Sequence, residues 1–165
     1  MPTPTYTLLD SVTLASSAAS VTFSSIDQSY GDLVLICNGL SSGGNGYLKM
    51  QINGDTGTNY YGVNMRGNGA NAYSRVDTRS DFLFGLGNVG WSTTDKCQNL
   101  IQIQDYSATD KHKSILGRTD NAASGTCAEA MRWGSTAAIT SLEISVNGWS
   151  IAAGSTFHLY QIVSE

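Results

Sequence analysis

Residues 48–53 read Leu-Lys-Met-Gln-Ile-Asn and are followed by Gly54. Apolar side chains at Leu48, Met50 and Ile52 alternate with polar ones. This alternation is typical of a strand with one buried face, because successive side chains of a strand point to opposite sides. The Asn-Gly pair that follows is a typical tight turn. A half-buried strand closed by a tight turn indicates an antiparallel sheet.

Comparable patterns run along the whole chain. Alternation recurs at residues 142–146, whereas Leu33–Cys37 is apolar throughout and predicts a central strand covered on both faces. The predicted strands lie near residues 11–14, 20–24, 33–37, 48–52, 81–86, 101–103, 112–118, 128–134, 142–146 and 155–163. We therefore predict an all-β fold, an antiparallel β-sandwich with a jelly-roll-like arrangement of about 8–10 strands. Residues 120–130 are compatible with a short helix, and residues 66–80 are the longest weakly patterned stretch.

Length and composition favour a single domain built from sheets. The chain has 165 residues, which is enough for one well-supplied core. Charged residues make up 13% of the chain and there are 18 glycines, a composition that suits polar surfaces with many turns better than exposed helices. We predict an extended N-terminal arm at residues 1–7 and one β-sandwich domain at residues 8–165.

The predicted arm contains both prolines of the chain, Pro2 and Pro4. Proline fixes φ and has no N–H group to donate, so this segment is predicted to be extended. Pro2, Pro4 and Tyr6 are the candidate interface residues if the arm lies on a neighbouring subunit. The alternative is a frayed terminus.

Charge and hydropathy argue against nucleic-acid and membrane partners. The formal net charge is −4 and no three basic residues are consecutive, so clustered phosphate contacts are not expected. The longest apolar run, Leu33–Cys37, is far shorter than the roughly 20 residues of a membrane-spanning helix. The first basic residue is Lys49, so no secretory signal is predicted and synthesis in the cytoplasm is expected.

The three cysteines, Cys37, Cys97 and Cys127, lie far apart in the sequence. We interpret them as reduced, buried thiols that act as small apolar side chains. A Cys97–Cys127 bridge with one free thiol is the alternative. Neither His112 nor His158 stands at ligand spacing from a cysteine, so no metal site is predicted.

The triplet Asp55-Thr56-Gly57 has the sequence found in aspartic proteases, which pair two such aspartates across a dimer or pseudo-dimer. Here Asn53-Gly54 precedes the aspartate, and a polar turn would leave its carboxylate solvated. No Gly-x-Ser-x-Gly elbow occurs in the chain. We therefore predict no enzymatic activity, no catalytic residues and no cofactor.

Aromatic residues offer a hypothesis for ligand binding. Tyr60, Tyr61, Tyr73 and Trp91 fall in or near the weakly patterned segments. A ring face can pack on the C–H groups of a sugar while neighbouring polar groups bind its hydroxyls. The alternative is that these rings are ordinary core or interface residues.

Three segments together resemble virion proteins of tailed bacteriophages. Residues 23–33 read Phe-Ser-Ser-Ile-Asp-Gln-Ser-Tyr-Gly-Asp-Leu, residues 52–60 read Ile-Asn-Gly-Asp-Thr-Gly-Thr-Asn-Tyr, and residues 154–160 read Gly-Ser-Thr-Phe-His-Leu-Tyr. The resemblance covers residues 8–163, and proteins of this kind occur as surface decorations, knobs or tail-fibre modules. Gln161 stands where these proteins usually have a small residue.

The resemblance implies a structural β-sandwich protein without catalytic residues. The expected role is capsid decoration, or cement, on the outer surface of the virion, with the major capsid protein or another virion protein as partner. A homotrimer is expected, since virion surface proteins are often trimers and closed symmetry is general for copies of one chain. The alternative is a tail-fibre module that binds a receptor or a glycan through loops 41–46 and 66–74 with Tyr73 or Trp91.

Overall fold

The computed structural model describes residues 5–29, 31–85, 87 and 89–162. Within these ranges the chain forms β-strands and no α-helix. The strands are β1 (Tyr6–Thr13), β2 (Ser20–Phe23), β3 (Asp32–Gly39), β4 (Leu48–Ile52), β5 (Tyr60–Gly67), β6 (Ala72–Arg79), β7 (Phe82–Phe84), β8 (Cys97–Ile103), β9 (Lys113–Asn121), β10 (Gly125–Trp133), β11 (Leu142–Val146) and β12 (Thr156–Ile162).

Two antiparallel sheets make up the fold. The large sheet has eight strands in the order β1-β12-β3-β8-β9-β10-β5-β6, and the small sheet has four in the order β2-β11-β4-β7. One cluster of buried apolar side chains draws on both sheets. The predicted antiparallel β-sandwich is confirmed, with more strands than the sequence patterns indicate.

The strongest sequence patterns correspond to strands of the structure. Leu48, Met50 and Ile52 of β4 are fully buried, and the polar residues between them are half-buried. The apolar run Leu33–Cys37 lies on β3, which is flanked by β12 and β8 well inside the large sheet. All of its residues except Ile36 are buried, so the prediction of a central strand is confirmed.

The hairpin of β5 and β6 has no counterpart among the predicted strands. It forms one edge of the large sheet, and most residues of β6 are exposed, so neither face of that strand carries a clear apolar pattern. The short helix considered at residues 120–130 is wrong. This segment contains the end of β9, a turn and the start of β10, and Gly125 adopts a φ of 121° at the end of that turn.

The N-terminal strand begins inside the range predicted to be an arm. Tyr6 pairs with Ile162 and Thr7 with Gln161 in the β1–β12 ladder, and the side chain of Tyr6 is exposed. Pro2 and Pro4 lie outside the described residues.

Candidate functional site

The outer face of the large sheet, which points away from the small sheet, carries a continuous row of apolar side chains. The cross-strand register places eight residues directly opposite one another across the whole sheet: Leu8, Tyr160, Val34, Gln102, Leu116, Ala130, Val63 and Val76. Every member except Gln102 is apolar or aromatic. The next row contributes the apolar residues Ile36, Leu100, Ala128 and Met65, and it also contains the polar residues His158, Arg118 and Ser74. We call these two rows the apolar face.

Side chains of the apolar face are exposed to a degree that is unusual for their type. Val76 is 76% exposed, Met65 is 52% exposed, and Leu8 and Leu116 are each 50% exposed. Single exposed apolar residues are normal in soluble proteins, but a contiguous patch of them marks an interaction surface.

The outer face of the small sheet is polar instead. Its outward positions include Thr22, Glu143 and Gln51, which lie directly opposite one another, and the neighbouring pair Ser145 and Lys49. The exposed large apolar side chains of the described strands all belong to the large sheet. The two faces of the sandwich therefore differ in kind, and only one of them is suited to burial.

Charges on the outer face of the large sheet cancel. Within the described strands, and apart from Asp10 at the bulge of β1, its Asp, Glu, Lys and Arg side chains are Asp32, Arg118, Asp120 and Arg132, two of each sign. His158 also lies on this face, opposite Ile36. The whole chain has a net charge of −4, so the excess negative charge lies elsewhere. A neutral patch with an apolar centre can approach a partner without a large desolvation cost for ions.

Two of the aromatic residues proposed from the sequence as ligand contacts lie in the core. Trp91 is fully buried, its ring stacks on Phe157 with centroids 6.0 Å apart, and its Nε1–H donates to Asn99 Oδ1 at 2.8 Å. Tyr60 is also buried, and its hydroxyl bonds the backbone of Ile52 and Asp55. The structure thus places both rings inside the sandwich, out of reach of a ligand.

The other two proposed aromatics are exposed but lie on opposite sides of the large sheet. Tyr61 belongs to the outer face, where the guanidinium of Arg132 lies 4.5 Å from its ring centroid. Tyr73 lies on the side of the small sheet, and the Arg66 guanidinium is 4.3 Å from its ring centroid. The structure therefore does not assemble the four residues into one binding surface.

Loop 41–46, proposed from the sequence as a ligand loop, packs against Trp149, which we did not identify from the sequence. A Cβ atom added at Gly43 would fall 2.3 Å from the indole, so only glycine allows this approach. The indole Nε1–H donates to Asn45 O at 3.3 Å, and the ring remains 46% exposed. The signal in the sequence is Asn147-Gly148 directly before the tryptophan, a turn that presents the next side chain at a loop tip.

The carboxylate of Asp55 is half-buried and holds a turn against β10. It accepts hydrogen bonds from Trp133 Nε1 at 2.8 Å, Asn59 Nδ2 at 3.0 Å and Gly57 N at 2.8 Å. Burial raises the pKa of Asp55, but these hydrogen bonds outweigh burial and hold the pKa below its ordinary value. The carboxylate has a structural use that explains its place in the turn.

Replacing Asp55 by Asn is expected to lower the free energy of unfolding at pH 7 by about 1–3 kcal/mol, because charge-assisted hydrogen bonds are lost. A carboxylate whose pKa is lower in the folded state than in the unfolded state stabilises the protein at any pH above the pKa of the unfolded state, about 3.9. This stabilisation is lost as the pH falls through the pKa of the folded state. The difference in the free energy of unfolding between wild type and Asp55→Asn should therefore become smaller below about pH 4. Urea unfolding at pH 7 and pH 3 measures this difference, with Glu143→Gln on the exposed face of the small sheet as control. An equal difference at both pH values would contradict the assignment.

All three cysteines are free and buried, so the alternative of a Cys97–Cys127 bridge is wrong. Burial raises the pKa of Cys97 to about 12. Burial also raises the pKa of Cys37 and Cys127, so all three thiols are protonated at neutral pH. Among the described residues, no group of three or more His, Cys, Asp or Glu side chains is placed to hold a metal ion.

No family model and no curated protein matches this chain. Among solved structures, one that is similar to this chain is the crystal structure of a protein of unknown function from Shewanella oneidensis MR-1. That chain is 11% identical, with a TM-score of 0.28, and the match covers 97% of this chain and 77% of the other. In the part of the chain that the structure describes, no helix is long and apolar enough to cross a membrane.

Proposed function

We propose that this protein is a non-enzymatic structural protein of a bacteriophage virion, a capsid decoration protein that attaches by its apolar face. The contrast between the two outer faces of the sandwich supports this proposal: one is apolar and neutral, and the other is polar. The phage context rests on the sequence resemblance. The partner is the outer surface of the major capsid protein or of another virion protein.

The dimensions of the apolar face suit a specific interface. Eight strands spaced about 4.8 Å apart span roughly 38 Å, and two rows about 6.6 Å apart cover roughly 500 Å². The polar rows on either side bring the face to roughly 1,000 Å², comparable to the ~800 Å² that each partner contributes to a standard interface. An apolar centre with a polar rim is the usual anatomy of such interfaces.

Attachment through this face involves no covalent or catalytic step. Burial of the exposed valine, leucine and methionine side chains supplies interface energy, and the balanced charges avoid repulsion. The proposal includes a homotrimer, since closed symmetry is the general expectation for copies of one chain. Sedimentation equilibrium of the isolated protein measures the number of copies.

Two lysines on the apolar face should weaken attachment to capsids. Leu116→Lys combined with Val63→Lys places two charges at the centre of the proposed interface, and their burial costs far more than the lost apolar contacts. We expect at least about tenfold weaker binding to decoration-free particles, which corresponds to about 1.4 kcal/mol or more. Both side chains are exposed, so the fold should tolerate the changes.

The matched control is Thr22→Lys combined with Gln51→Lys, which adds the same charges to the outer face of the small sheet. Co-sedimentation with particles and counting of copies per particle are the measurements. Wild type and control should coat the capsid in many copies. Undiminished binding of the apolar-face variant, or location of the wild type in a few copies on the tail, would contradict the proposal.

The alternative is a tail-fibre or glycan-binding module. The pairing of Tyr73 with Arg66, away from the apolar face, favours this function for a different part of the surface. Location of the chain in imaged particles separates the two functions, since a tail module would be absent from the capsid shell.

A further inference from the structure

The small sheet leaves part of the large sheet uncovered on its inner side. Tyr73 and Arg75 of β6 lie on inner-face positions, opposite Arg66 and Asn64 of β5, yet both side chains are exposed. Together with the turn at residues 121–125, this overhanging edge encloses two adjoining cavities of about 590 and 300 Å³. Both volumes fall in the range of small-molecule sites.

Arg66 and Tyr73 line both cavities, which we call together the arginine groove. The guanidinium of Arg66 lies over the Tyr73 ring, and no salt bridge joins it to a carboxylate of the described residues. Arg75 lines the smaller cavity and pairs with Asp77 at 2.8 Å, but its side chain remains 58% exposed.

No Asp or Glu is among the described residues that line the groove. The guanidinium of Arg66 therefore faces an opening whose described lining holds no carboxylate, in a chain whose net charge is −4, while Arg75 at the rim shares its charge with Asp77. A concave surface of one sign concentrates ligands of the opposite sign, so the groove favours an anion. Planar guanidinium groups are particularly suited to carboxylates, which they bind in bidentate geometry.

Two polar atoms of the groove lack a partner within the described structure. Asn64 is 5% exposed and its Oδ1 accepts no hydrogen bond, and the buried Oγ of Ser124 is likewise unpaired. Ser124 lines the larger cavity. Asn64 lines the smaller cavity and also a void of about 10 Å³ that it shares with Asp77 and Arg79, whose Oδ2 and Nε atoms are likewise unpaired. Buried polar atoms are normally hydrogen-bonded, and exceptions point to a ligand, a water molecule or a functional use.

The unpaired acceptor restricts the kind of anion. The Asn64 amide carries both an acceptor and a donor, so it is best matched by a group that both donates and accepts, whereas an ionised phosphate or an isolated carboxylate only accepts. A sugar hydroxyl donates and accepts, and it would also pair with Ser124 Oγ. The half-exposed ring of Tyr73 offers an apolar surface to the C–H groups of a sugar.

We propose that the arginine groove binds an acidic saccharide, with the sugar carboxylate on Arg66 and sugar hydroxyls on Asn64 and Ser124. Tyr73 supports the sugar ring, and Arg75 adds to the positive field at the opening. This site lies on the opposite side of the large sheet from the apolar face. It can therefore be occupied while the protein is attached to a capsid, and it stands or falls independently of that attachment.

Isothermal titration with methyl β-D-glucuronide, N-acetylneuraminic acid and the neutral methyl β-D-glucoside tests the proposal. We expect at least one of the two carboxylated sugars to bind, and the neutral sugar to bind at least about tenfold more weakly, because charge-assisted hydrogen bonds to Arg66 are missing. Arg66→Gln should lose at least the same factor. The matched control is Arg132→Gln, which removes the guanidinium over Tyr61 on the outer face and should leave binding unchanged.

A second readout does not depend on a substitution in the groove. In the unmodified protein, the backbone amide resonances of Ser124 and Gly125 should shift on addition of the bound sugar, and that of Ala130 on the apolar face should not. The exposed variant Arg75→Gln should weaken binding without loss of fold. Failure of both carboxylated sugars to bind, equal binding of the glucoside, unchanged binding by Arg66→Gln, or equal displacement by inorganic phosphate would each overturn the proposal.

Discussion

Trp91→Ala is expected to lower the free energy of unfolding by about 3–5 kcal/mol. The indole is fully buried and stacks on Phe157, so its removal leaves a large cavity in the core. It also removes the indole N–H from Asn99 Oδ1, which then retains only the weak thiol donor of Cys97 at 4.0 Å. Domains of this size are stabilised by only about 5–15 kcal/mol, so one substitution would remove a large part of the total. Chemical unfolding followed by circular dichroism measures the loss.

The surroundings of Trp91 leave little room for relaxation into the cavity. A Cβ atom at Gly39 would lie 2.8 Å from the indole, which shows how closely the backbone of β3 approaches the ring. Asn99 in turn donates to Thr119 Oγ1 at 2.7 Å, and Thr119 Oγ1 donates to Glu129 Oε1 at 3.3 Å. Loss of the indole therefore disturbs a chain of buried hydrogen bonds as well as the packing.

Trp149→Ala is the matched control, since this indole is 46% exposed at a loop tip. We expect it to cost less than about 1 kcal/mol. A larger loss for Trp149→Ala than for Trp91→Ala would contradict the assignment of the core. Because Trp91→Ala changes stability, it is unsuited to testing glycan binding, and Arg66 replaces Trp91 in that test.

The burial of the two tryptophans could not be predicted from the sequence around them. Each follows a glycine, in Val89-Gly90-Trp91 and in Asn147-Gly148-Trp149, yet one is buried and the other is exposed. The difference arises from partners distant in sequence, Asn99 and Phe157 for the buried ring. Local patterns predict that a side chain lies at a turn, and only the tertiary packing decides what covers it.

Local sequence patterns likewise do not show which residues form the apolar face. Ile115 and Leu116 of β9 are adjacent apolar residues, of which the first is buried and the second is half-exposed. Successive side chains of a strand point to opposite sides, so one of them had to face outward. The strands of the core, such as β3, β4 and β11, are predictable because one or both of their faces are buried. The β5–β6 hairpin was missed because it extends beyond the small sheet.

Lys113 is a residue whose burial the sequence does not indicate. It stands beside His112 in a segment that reads as a solvated loop or strand edge. In the structure it is fully buried on the inner side of β9, two residues before the buried Ile115. Its Nζ donates to three backbone carbonyl groups, those of Ala108, Lys111 and Thr136. Burial lowers the pKa of Lys113 below its ordinary value, although the carboxylates of Asp110 and Asp105 act in the opposite direction.

Lys113→Met is expected to lower the free energy of unfolding by about 3–5 kcal/mol. Methionine preserves much of the apolar stem but has no donor, so three carbonyl groups that now share one ammonium lose their partner. The three carbonyls come from two loops, the one between β8 and β9 and the one after β10, and the ammonium bridges them. Guanidinium chloride unfolding measures the loss, with the exposed Lys111→Met as a control that should leave the midpoint unchanged. Lys113→Arg should not restore wild-type stability, because a planar guanidinium cannot direct three donors to one converging set of oxygens. Full stability of Lys113→Met would show that the carbonyl groups find other partners and that the ammonium is dispensable.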